Sequence, residues 1–159
     1  MTPHEQGFAD PLENYDPKTY DDPVEHALTE QSAEAIQSTP FVSIPPSTPV
    51  SEAVAQLANG PLACLLVVED EKLVGLFAER DVLDKVALRY DEVRDNPVAD
   101  VMTADPVCVL NTDSPAAVLN VMAISGYRHV PVVTLDGKPL GVATPQRVTS
   151  FLRAAFEGA

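Results

Sequence analysis

The segment Gly75-Leu76-Phe77-Ala78-Glu79-Arg80-Asp81-Val82 recurs 66 residues later as Gly141-Val142-Ala143-Thr144-Pro145-Gln146-Arg147-Val148. The same spacing relates Pro40 to Pro106, Pro49 to Pro115, Gly60 to Gly126 and Lys72 to Lys138, without a gap over more than forty residues. A single offset kept over this length indicates an internal duplication. We therefore divide the chain into an N-terminal arm at residues 1–30, a first repeat at 31–96 and a second repeat at 97–159.

Each repeat is predicted to have the element order β-α-β-β-α. Its strands are short apolar runs, and its first helix begins at a hydroxyl residue followed by proline, in Ser47-Thr48-Pro49 or Asp113-Ser114-Pro115. Gly60 and Gly126 follow this helix and are expected to be left-handed C-caps. The predicted elements are Phe41–Ile44, Val50–Leu57, Cys64–Val68, Leu73–Phe77 and Glu79–Tyr90 in the first repeat, and Val107–Leu110, Ala116–Ile124, Val130–Thr134, Leu140–Ala143 and Pro145–Phe156 in the second. One repeat is too small for a core of its own, so the predicted fold class is mixed, α+β or α/β, with the two repeats packed as a pseudo-two-fold pair.

The arm differs from the repeats in composition. Residues 1–21 are acidic, contain several prolines and lack hydrophobic periodicity, which is typical of disordered segments. Asp22-Pro23-Val24-Glu25 then predicts a capped helix start. Val24, Leu28 and Ala35 form an apolar stripe that is expected to continue this helix into the first repeat.

The charge and composition exclude several classes of protein. The 159 residues include 24 acids and 10 bases, for a net charge of −14. Because this charge repels the phosphates of nucleic acids, we do not expect a nucleic-acid-binding protein. The chain contains neither an apolar run of membrane-spanning length nor an N-terminal signal pattern, so we expect a cytoplasmic protein without a membrane segment. Cys64 and Cys108 lie in apolar runs and are expected to be buried packing residues. The net charge is −7 in the arm, −6 in the first repeat and −1 in the second repeat. An anionic ligand is therefore expected to bind at the nearly neutral second repeat.

Three phrases carry a resemblance to a known family. They are Val98-Ala99-Asp100-Val101-Met102-Thr103, Gly126-Tyr127-Arg128-His129-Val130-Pro131-Val132-Val133 and Gly75 to Val82. In their order around the repeat, they make residues 31–159 resemble a pair of cystathionine β-synthase (CBS) domains, known as a Bateman module. The resemblance implies that an adenosine-derived effector (AMP, ADP, ATP, NAD or S-adenosylmethionine) binds between the repeats, with no required cofactor. It also implies a homodimer and a regulated protein partner, which the sequence does not identify.

The family's ligand motif is a glycine, two apolar residues, a Ser or Thr, two variable residues and an aspartate. The first copy has Ala78 in place of the hydroxyl residue and keeps Asp81, whereas the second keeps Thr144 but has Arg147 in place of the aspartate. The resemblance places a first ligand cleft at Leu76, Ala78, Arg80, Asp81, Thr103, Cys108, Tyr127, Arg128 and His129. It places a second, weaker cleft at Gln37, Val42, Pro61, Leu62, Val142, Thr144, Gln146 and Arg147.

Within the first cleft the resemblance assigns a role to each polar residue. Asp81 is expected to accept hydrogen bonds from the ribose hydroxyls, and Thr103 with its neighbouring backbone is expected to face the base. Arg128 would bind phosphate, with His129 as a pH-dependent helper.

Structural explanations of the same residues stay open. Thr144-Pro145 is also a helix cap with proline at its first position, and an aspartate such as Asp81 is favoured near any helix start. Arg147 would also suit a solvated surface, and Arg128-His129 would also suit a strand end.

Two functional hypotheses follow, a regulatory adenosine-ligand module and a ligand-free dimerisation or protein-interaction module with degenerate clefts. An enzyme is not expected, because the sequence has no metal-ligand spacing, dinucleotide-binding glycine motif, P-loop or nucleophile elbow. Under either hypothesis the last helix of each repeat is expected to form the homodimer through its apolar stripe, which is Val82, Val86 and Tyr90 or Val148, Phe151 and Leu152.

Overall fold

The computed structural model describes residues 16–158, so the prediction for the first half of the arm lies outside the described residues. The strands are β1 (Gln37–Ser38), β2 (Ser43–Ile44), β3 (Cys64–Glu69), β4 (Lys72–Ala78), β5 (Thr103–Ala104), β6 (Val109–Leu110), β7 (Val130–Val133) and β8 (Pro139–Ala143). The α-helices are α1 (Pro23–Glu30), α2 (Val50–Asn59), α3 (Glu79–Asp81), α4 (Tyr90–Val93), α5 (Pro115–Ser125) and α6 (Pro145–Glu157). Single turns of 3₁₀ helix cover Ala33–Ile36, Ala87–Arg89 and Val98–Asp100. The mixed fold with two β-α-β-β-α repeats is confirmed.

Each repeat contributes its first strand to the sheet of the other repeat. One sheet has the order β2-β3-β4-β5 and the other the order β1-β8-β7-β6. In each sheet the first strand of one repeat, β1 or β5, pairs antiparallel with the last strand of the other repeat. These two-residue strands were not predicted, because a two-residue strand has too few positions for a hydrophobic pattern.

The sequence offset of 66 does not hold for the exchanged strands. Ser38 pairs with Val142 while Thr103 pairs with Leu76, so Ser38 and Thr103 are equivalent although they lie 65 residues apart. The second repeat accommodates one more residue before its next strand, and Asp105 there has a left-handed φ of 44°. A one-residue change of register moves every side chain of a strand to the other face, so it decides which residues face a cleft.

The hydrophobic side chains form three clusters. The first-repeat core includes Phe77, Val86 and Val98, and the second-repeat core includes Ile36, Val118 and Val148. Val98 belongs to the second repeat and Ile36 to the first, and each packs in the core of the other repeat, in the same way as the exchanged strands. An inter-repeat core of Cys64, Leu66, Leu76 and Val142 joins the two halves.

Several predictions about individual residues are corrected by the structure. Cys108 is exposed, because it lies in the loop before β6 rather than in a strand, whereas the prediction of a buried Cys64 is confirmed. Gly60 has a φ of −78° and is not left-handed, whereas Gly126 has a φ of 66° and is. Ser114 caps α5 as predicted, and α2 begins at Val50 as predicted, but the N-cap of α2 is Pro49, which offers no side-chain hydroxyl, rather than a hydroxyl residue.

The arm helix is shorter than its apolar stripe suggested. The predicted cap is confirmed, since the Asp22 carboxylate accepts a hydrogen bond from the Val24 amide at 2.8 Å. The helix ends at Glu30, and the chain re-enters the core through Ala33 and Ile36. Ala35 is therefore exposed rather than part of a continuous stripe.

The last helical segment of the first repeat, residues 79–93, is interrupted rather than continuous. A turn of π-helix at Val82–Val86 follows α3, and a 3₁₀ turn leads to α4. The wide π turn keeps Val86 and Val93 in the core, while Leu83 and Leu88 point outwards at 70% and 98% exposure. The stripes expected to form a dimer are therefore largely covered within the chain, with Val82 and Val86 in one core and Val148, Phe151 and Leu152 in the other.

Candidate functional site

One cavity of about 380 Å³ opens between the two repeats. Its lining contains eight of the nine residues predicted for the first cleft, namely Leu76, Ala78, Arg80, Asp81, Thr103, Tyr127, Arg128 and His129, together with Glu79, Leu83 and Gly126. The volume lies within the range of about 300–1,000 Å³ that is usual for small-molecule sites. The end of β4 and the start of α3 form one wall, β5 lies beside them, and the loop between α5 and β7 forms the other wall.

Asp81 is the best-connected polar residue of the cavity. Its side chain is only 8% exposed, and its Oδ1 accepts hydrogen bonds from Thr103 Oγ1 at 2.9 Å and from Lys85 Nζ at 2.8 Å. Its Oδ2 accepts one from the Ala78 amide at 2.9 Å. An ionised carboxylate offers about four acceptor positions, so these three donors leave one position on Oδ2. The carboxylate is therefore fixed in orientation and keeps one acceptor for a further donor.

The opposite wall carries the cationic side chains. Arg128 is exposed, and no resolved carboxylate of residues 16–158 lies within salt-bridge distance of it. Arg80 differs, because its guanidinium lies 3.5 Å from the Asp84 carboxylate. Tyr127 anchors this loop by packing against the second-repeat core.

His129 lies beside Arg128 and is half-buried. Burial lowers the pKa of its imidazole below the ordinary value of 6.5; the Glu79 carboxylate opposes this shift, and the Arg128 guanidinium adds to it. The cavity therefore holds a neutral imidazole next to a charged guanidinium at neutral pH.

The structure separates Cys108 from the other predicted residues of the first cleft. It lies in the exposed loop before β6 and is not part of the cavity lining. Glu79, Leu83 and Gly126 were missed, although each lies within two residues of a predicted residue in the sequence. Lys85 was also missed, although its position four residues after Asp81 on a predicted helix is the usual spacing of an ion pair.

Contacts within the chain fill much of the predicted second cleft. The Arg147 guanidinium donates to the Gln37 carbonyl oxygen through Nε at 3.2 Å and Nη2 at 3.1 Å. Thr144 Oγ1 accepts from the Arg147 amide at 3.3 Å as the cap of α6, which agrees with the structural explanation of the Thr144-Pro145 pair. The Gln37 side chain lies against Gly141: a Cβ added to Gly141 would be 2.8 Å from Gln37 Oε1.

The remaining residues of that cleft lie in different surroundings. Val142 is fully buried, Leu62 packs against the inter-repeat core, Val42 packs against the first-repeat core, and Pro61 and Gln146 are exposed. The residue equivalent to Thr103 is Ser38 rather than the predicted Gln37, because of the change of register. A second cavity of about 390 Å³ shares only Arg147 with the prediction and is otherwise lined by residues of α6, Gln31 and Ala35.

Two classes of site are not found in the described part of the chain. Among residues 16–158, no group of three or more His, Cys, Asp or Glu side chains is arranged to hold a metal ion. None of the helices in this range is long and apolar enough to cross a membrane.

The chain is similar to a known family and to known proteins. A family model described as "CBS domain" matches residues 33–88 and 98–154. An uncharacterized 17.7 kDa protein of Acidianus ambivalens is 29% identical over 110 residues, which are 69% of this chain and 65% of that protein. The CBS domain-containing protein CBSCBSPB5 of Arabidopsis thaliana is 30% identical over 105 residues, 65% of this chain but only 19% of that protein. The chain thus spans less than two thirds of the length of both curated relatives.

Solved structures share the same fold. The CBS domain protein PAE2072 from Pyrobaculum aerophilum, described as complexed with AMP, superposes with a TM-score of 0.67 and 25% identity. The superposition covers 77% of this chain and 98% of that one. The neighbour therefore has the same arrangement over nearly its whole length.

Proposed function

The chain belongs to the CBS domain family as a tandem pair, and on this premise we propose that it is a regulatory module that binds one adenosine-derived ligand in the first cleft. The observation that carries the proposal is the convergence of Asp81, Thr103 and Arg128 on one cavity, although the three come from different elements of both repeats. The description of a structural neighbour as complexed with AMP supports the ligand class.

The ribose is proposed to bind at Asp81. The free acceptor position on Oδ2 accounts for one ribose hydroxyl, and the second requires Thr103 or Lys85 to give up its bond to Oδ1. The Thr103 hydroxyl can rotate and then itself bond to the ligand. We therefore expect Thr103 to change partner on binding and Asp81 to stay in place.

The base and the phosphate are proposed to occupy opposite ends of the cavity. Leu76 and Leu83 supply apolar surface near β5, whose backbone can pair with the edge of a base. Arg128, with no carboxylate partner resolved among residues 16–158, supplies the planar guanidinium suited to a phosphate. Glu79 and Asp81 keep the cavity from being strongly positive, which favours a ligand with few phosphates.

Binding in one cleft rather than two is proposed because the clefts differ in their internal contacts. In the second cleft, Arg147 stands where the first cleft has Asp81, and its guanidinium is occupied by the Gln37 carbonyl. A ribose there would meet donors instead of an acceptor. We therefore expect a stoichiometry of one ligand per chain.

Isothermal titration calorimetry with adenosine, AMP, ATP, NAD and S-adenosylmethionine tests the proposal. The informative variant is Arg128→Gln, because Arg128 is exposed and its loss does not endanger the fold. A charged hydrogen bond contributes about 1.5–3 kcal/mol, so AMP is expected to bind roughly 10- to 150-fold more weakly while adenosine is unaffected. The matched control is Arg153→Gln, an exposed arginine of α6 that is paired with Glu157 away from the cavity.

Two results would contradict the proposal. Equal AMP affinity in the Arg128 and Arg153 variants would remove the phosphate assignment. Absence of binding and of thermal stabilisation by every ligand of the panel would favour the ligand-free interaction module, since a ligand at a hundred times its Kd adds about 2.7 kcal/mol to the apparent stability.

A homodimer is proposed through helical surface other than the stripes first predicted. Leu88, Ile124 and Phe156 are 98%, 85% and 66% exposed and lie on helical segments of both repeats. Burial of these side chains against a second copy of the chain would remove their apolar surface from water. Sedimentation at high micromolar concentration is expected to show a dimer that Leu88→Glu dissociates; a monomeric wild-type protein would contradict this.

A further inference from the structure

Lys85 connects the ligand cavity to the exchanged strand β5 without lining the cavity itself. Its ammonium lies 2.8 Å from Asp81 Oδ1 and 3.3 Å from the Met102 carbonyl oxygen. Met102 immediately precedes β5, and the next residue, Thr103, donates to the same Oδ1. One lysine thus bonds both to the carboxylate that faces the cavity and to the strand that lies beside it.

The strand that Lys85 contacts is weakly held. β5 has two residues and, among the strands of residues 16–158, pairs with β4 alone, at Gly75↔Ala104 and Leu76↔Thr103. Beyond the strand, the Asp105 amide donates to the Val74 carbonyl at 3.1 Å. Short strands with few hydrogen bonds open at low free-energy cost, so each side-chain contact to them changes how often they open.

The ion pair between Lys85 and Asp81 is only partly buried. Lys85 lies inside Val82–Val86, and its side chain is 42% exposed, whereas that of Asp81 is 8% exposed. The exposed part of the lysine keeps the pair from being fully desolvated, so its contribution is that of a partly screened ion pair. The ion pair is therefore too weak to be a main source of stability. What matters for the site is that Lys85 bonds to both Asp81 and Met102.

We propose that Lys85 is a positioning residue, which holds the Asp81 carboxylate against β5 so that this carboxylate already has, in the empty cavity, the orientation that binds ribose. This inference rests on the proposed function. Without Lys85, the Asp81 carboxylate would have to be ordered when the ligand binds, and the apparent affinity would fall in proportion to the fraction of time that this carboxylate is misplaced. Because Lys85 does not touch the ligand, the loss is the same for every ligand that carries the ribose.

The test compares Lys85→Met with Arg89→Met, a control that removes another paired cation from the same helical segment. Calorimetry is expected to show that Lys85→Met weakens adenosine and AMP binding equally, by about two- to fivefold, at both low and high salt. Arg89→Met is expected to bind as the wild type does, and Lys85→Arg is expected to recover most of the loss. A loss confined to AMP that disappears with added salt would mean a long-range charge effect and would overturn the proposal. Unchanged adenosine and AMP affinity in Lys85→Met would also overturn the proposal.

A second measurement does not depend on any ligand. Without nucleoside, the Asp105 amide is expected to exchange its hydrogen about two- to fivefold faster in Lys85→Met than in Arg89→Met. If the wild type binds neither adenosine nor AMP, the proposed function fails, and this exchange rate still decides whether Lys85 holds β5. Equal exchange in the two variants would overturn the inference itself.

Discussion

Replacing Gly75 by alanine is expected to destabilise the protein by displacing Met102. An added Cβ would lie 2.2 Å from Met102 Sδ, 2.9 Å from its Cε and 3.1 Å from its Cγ, well inside the usual contact distance of about 3.5–4.0 Å. The backbone cannot move away, because Gly75 is paired with Val67 on one side and with Ala104 of β5 on the other. The methionine must move instead, and forced repacking of this kind costs about 1–3 kcal/mol.

A double-mutant cycle separates this clash from other effects of the substitution. Met102→Ala alone removes a partly buried side chain from the first-repeat core and is expected to cost about 1–2 kcal/mol, less than a fully buried methionine would. In the Gly75→Ala/Met102→Ala protein the new methyl group has space, so the combined cost is expected to be about 1–3 kcal/mol smaller than the sum. Urea unfolding of the four proteins with a shared m value measures these differences.

The same cycle reports on the ligand cavity. If the displaced methionine pushes β5 away from β4, the backbone proposed to pair with the base leaves its place beside the cavity, and AMP affinity falls in Gly75→Ala but recovers in the double variant. If the loss of stability in the double variant equals the sum of the two single losses to within about 0.5 kcal/mol, the cost of Gly75→Ala does not depend on Met102. This result would refute the packing argument.

Three further predictions concern burial and charge. Phe77→Ala is expected to cost about 3–5 kcal/mol in urea unfolding, since Phe77 is fully buried in the first-repeat core; a loss under about 1 kcal/mol would contradict that packing. A thiol reagent is expected to label the exposed Cys108 quickly and Cys64 only on unfolding, because burial raises the pKa of Cys64 to about 12; equal labelling rates in single-cysteine variants would contradict this. Since the pKa of His129 is lower in the folded than in the unfolded protein, stability is expected to fall as the pH falls through the ordinary imidazole range. His129→Gln should then lose less stability than the wild type between about pH 7.5 and 5.5, and parallel curves would contradict the assignment.

The elements with clear local patterns were predictable from the sequence. The strands that became β3, β4, β7 and β8 have continuous apolar runs, and Ser114-Pro115 and Thr144-Pro145 mark the starts of α5 and α6. These features depend on neighbours within a few residues, which sequence patterns report directly.

Features that depend on distant partners were not predictable in the same way. β1 and β5 have two residues each, and nothing local indicates that they pair with the last strand of the other repeat. Because the second repeat has one extra residue near Asp105, the residue equivalent to Thr103 is Ser38. The constant sequence offset of 66 predicts Gln37 instead. The π turn at Val82–Val86 is likewise a result of packing, because a regular helix would fit the same apolar stripe.

The candidate site was largely predictable because its motif and its opposite loop are each contiguous in sequence. Asp81 and Arg128 lie in short phrases of different repeats, and the structure brings both phrases to one cavity. Cys108 was wrongly predicted to be buried because an apolar run was interpreted as a strand, whereas the chain forms an exposed loop there. What each residue binds stays a prediction for the ligand panel to decide.

The exchange of strands between the repeats has a consequence for the order in which the protein can fold during synthesis. The sheet β2-β3-β4-β5 contains residues 43–104 and can close as soon as that stretch has left the ribosome. The other sheet needs β1 beside β8, and Ser38 must wait for Val142, about 104 residues later. At the usual synthesis rate of about 5–20 residues per second, β1 remains without its partner for roughly 5–20 seconds. A nascent chain stalled between the repeats should therefore expose β1 to proteases and chaperones, even when the first sheet is already complete.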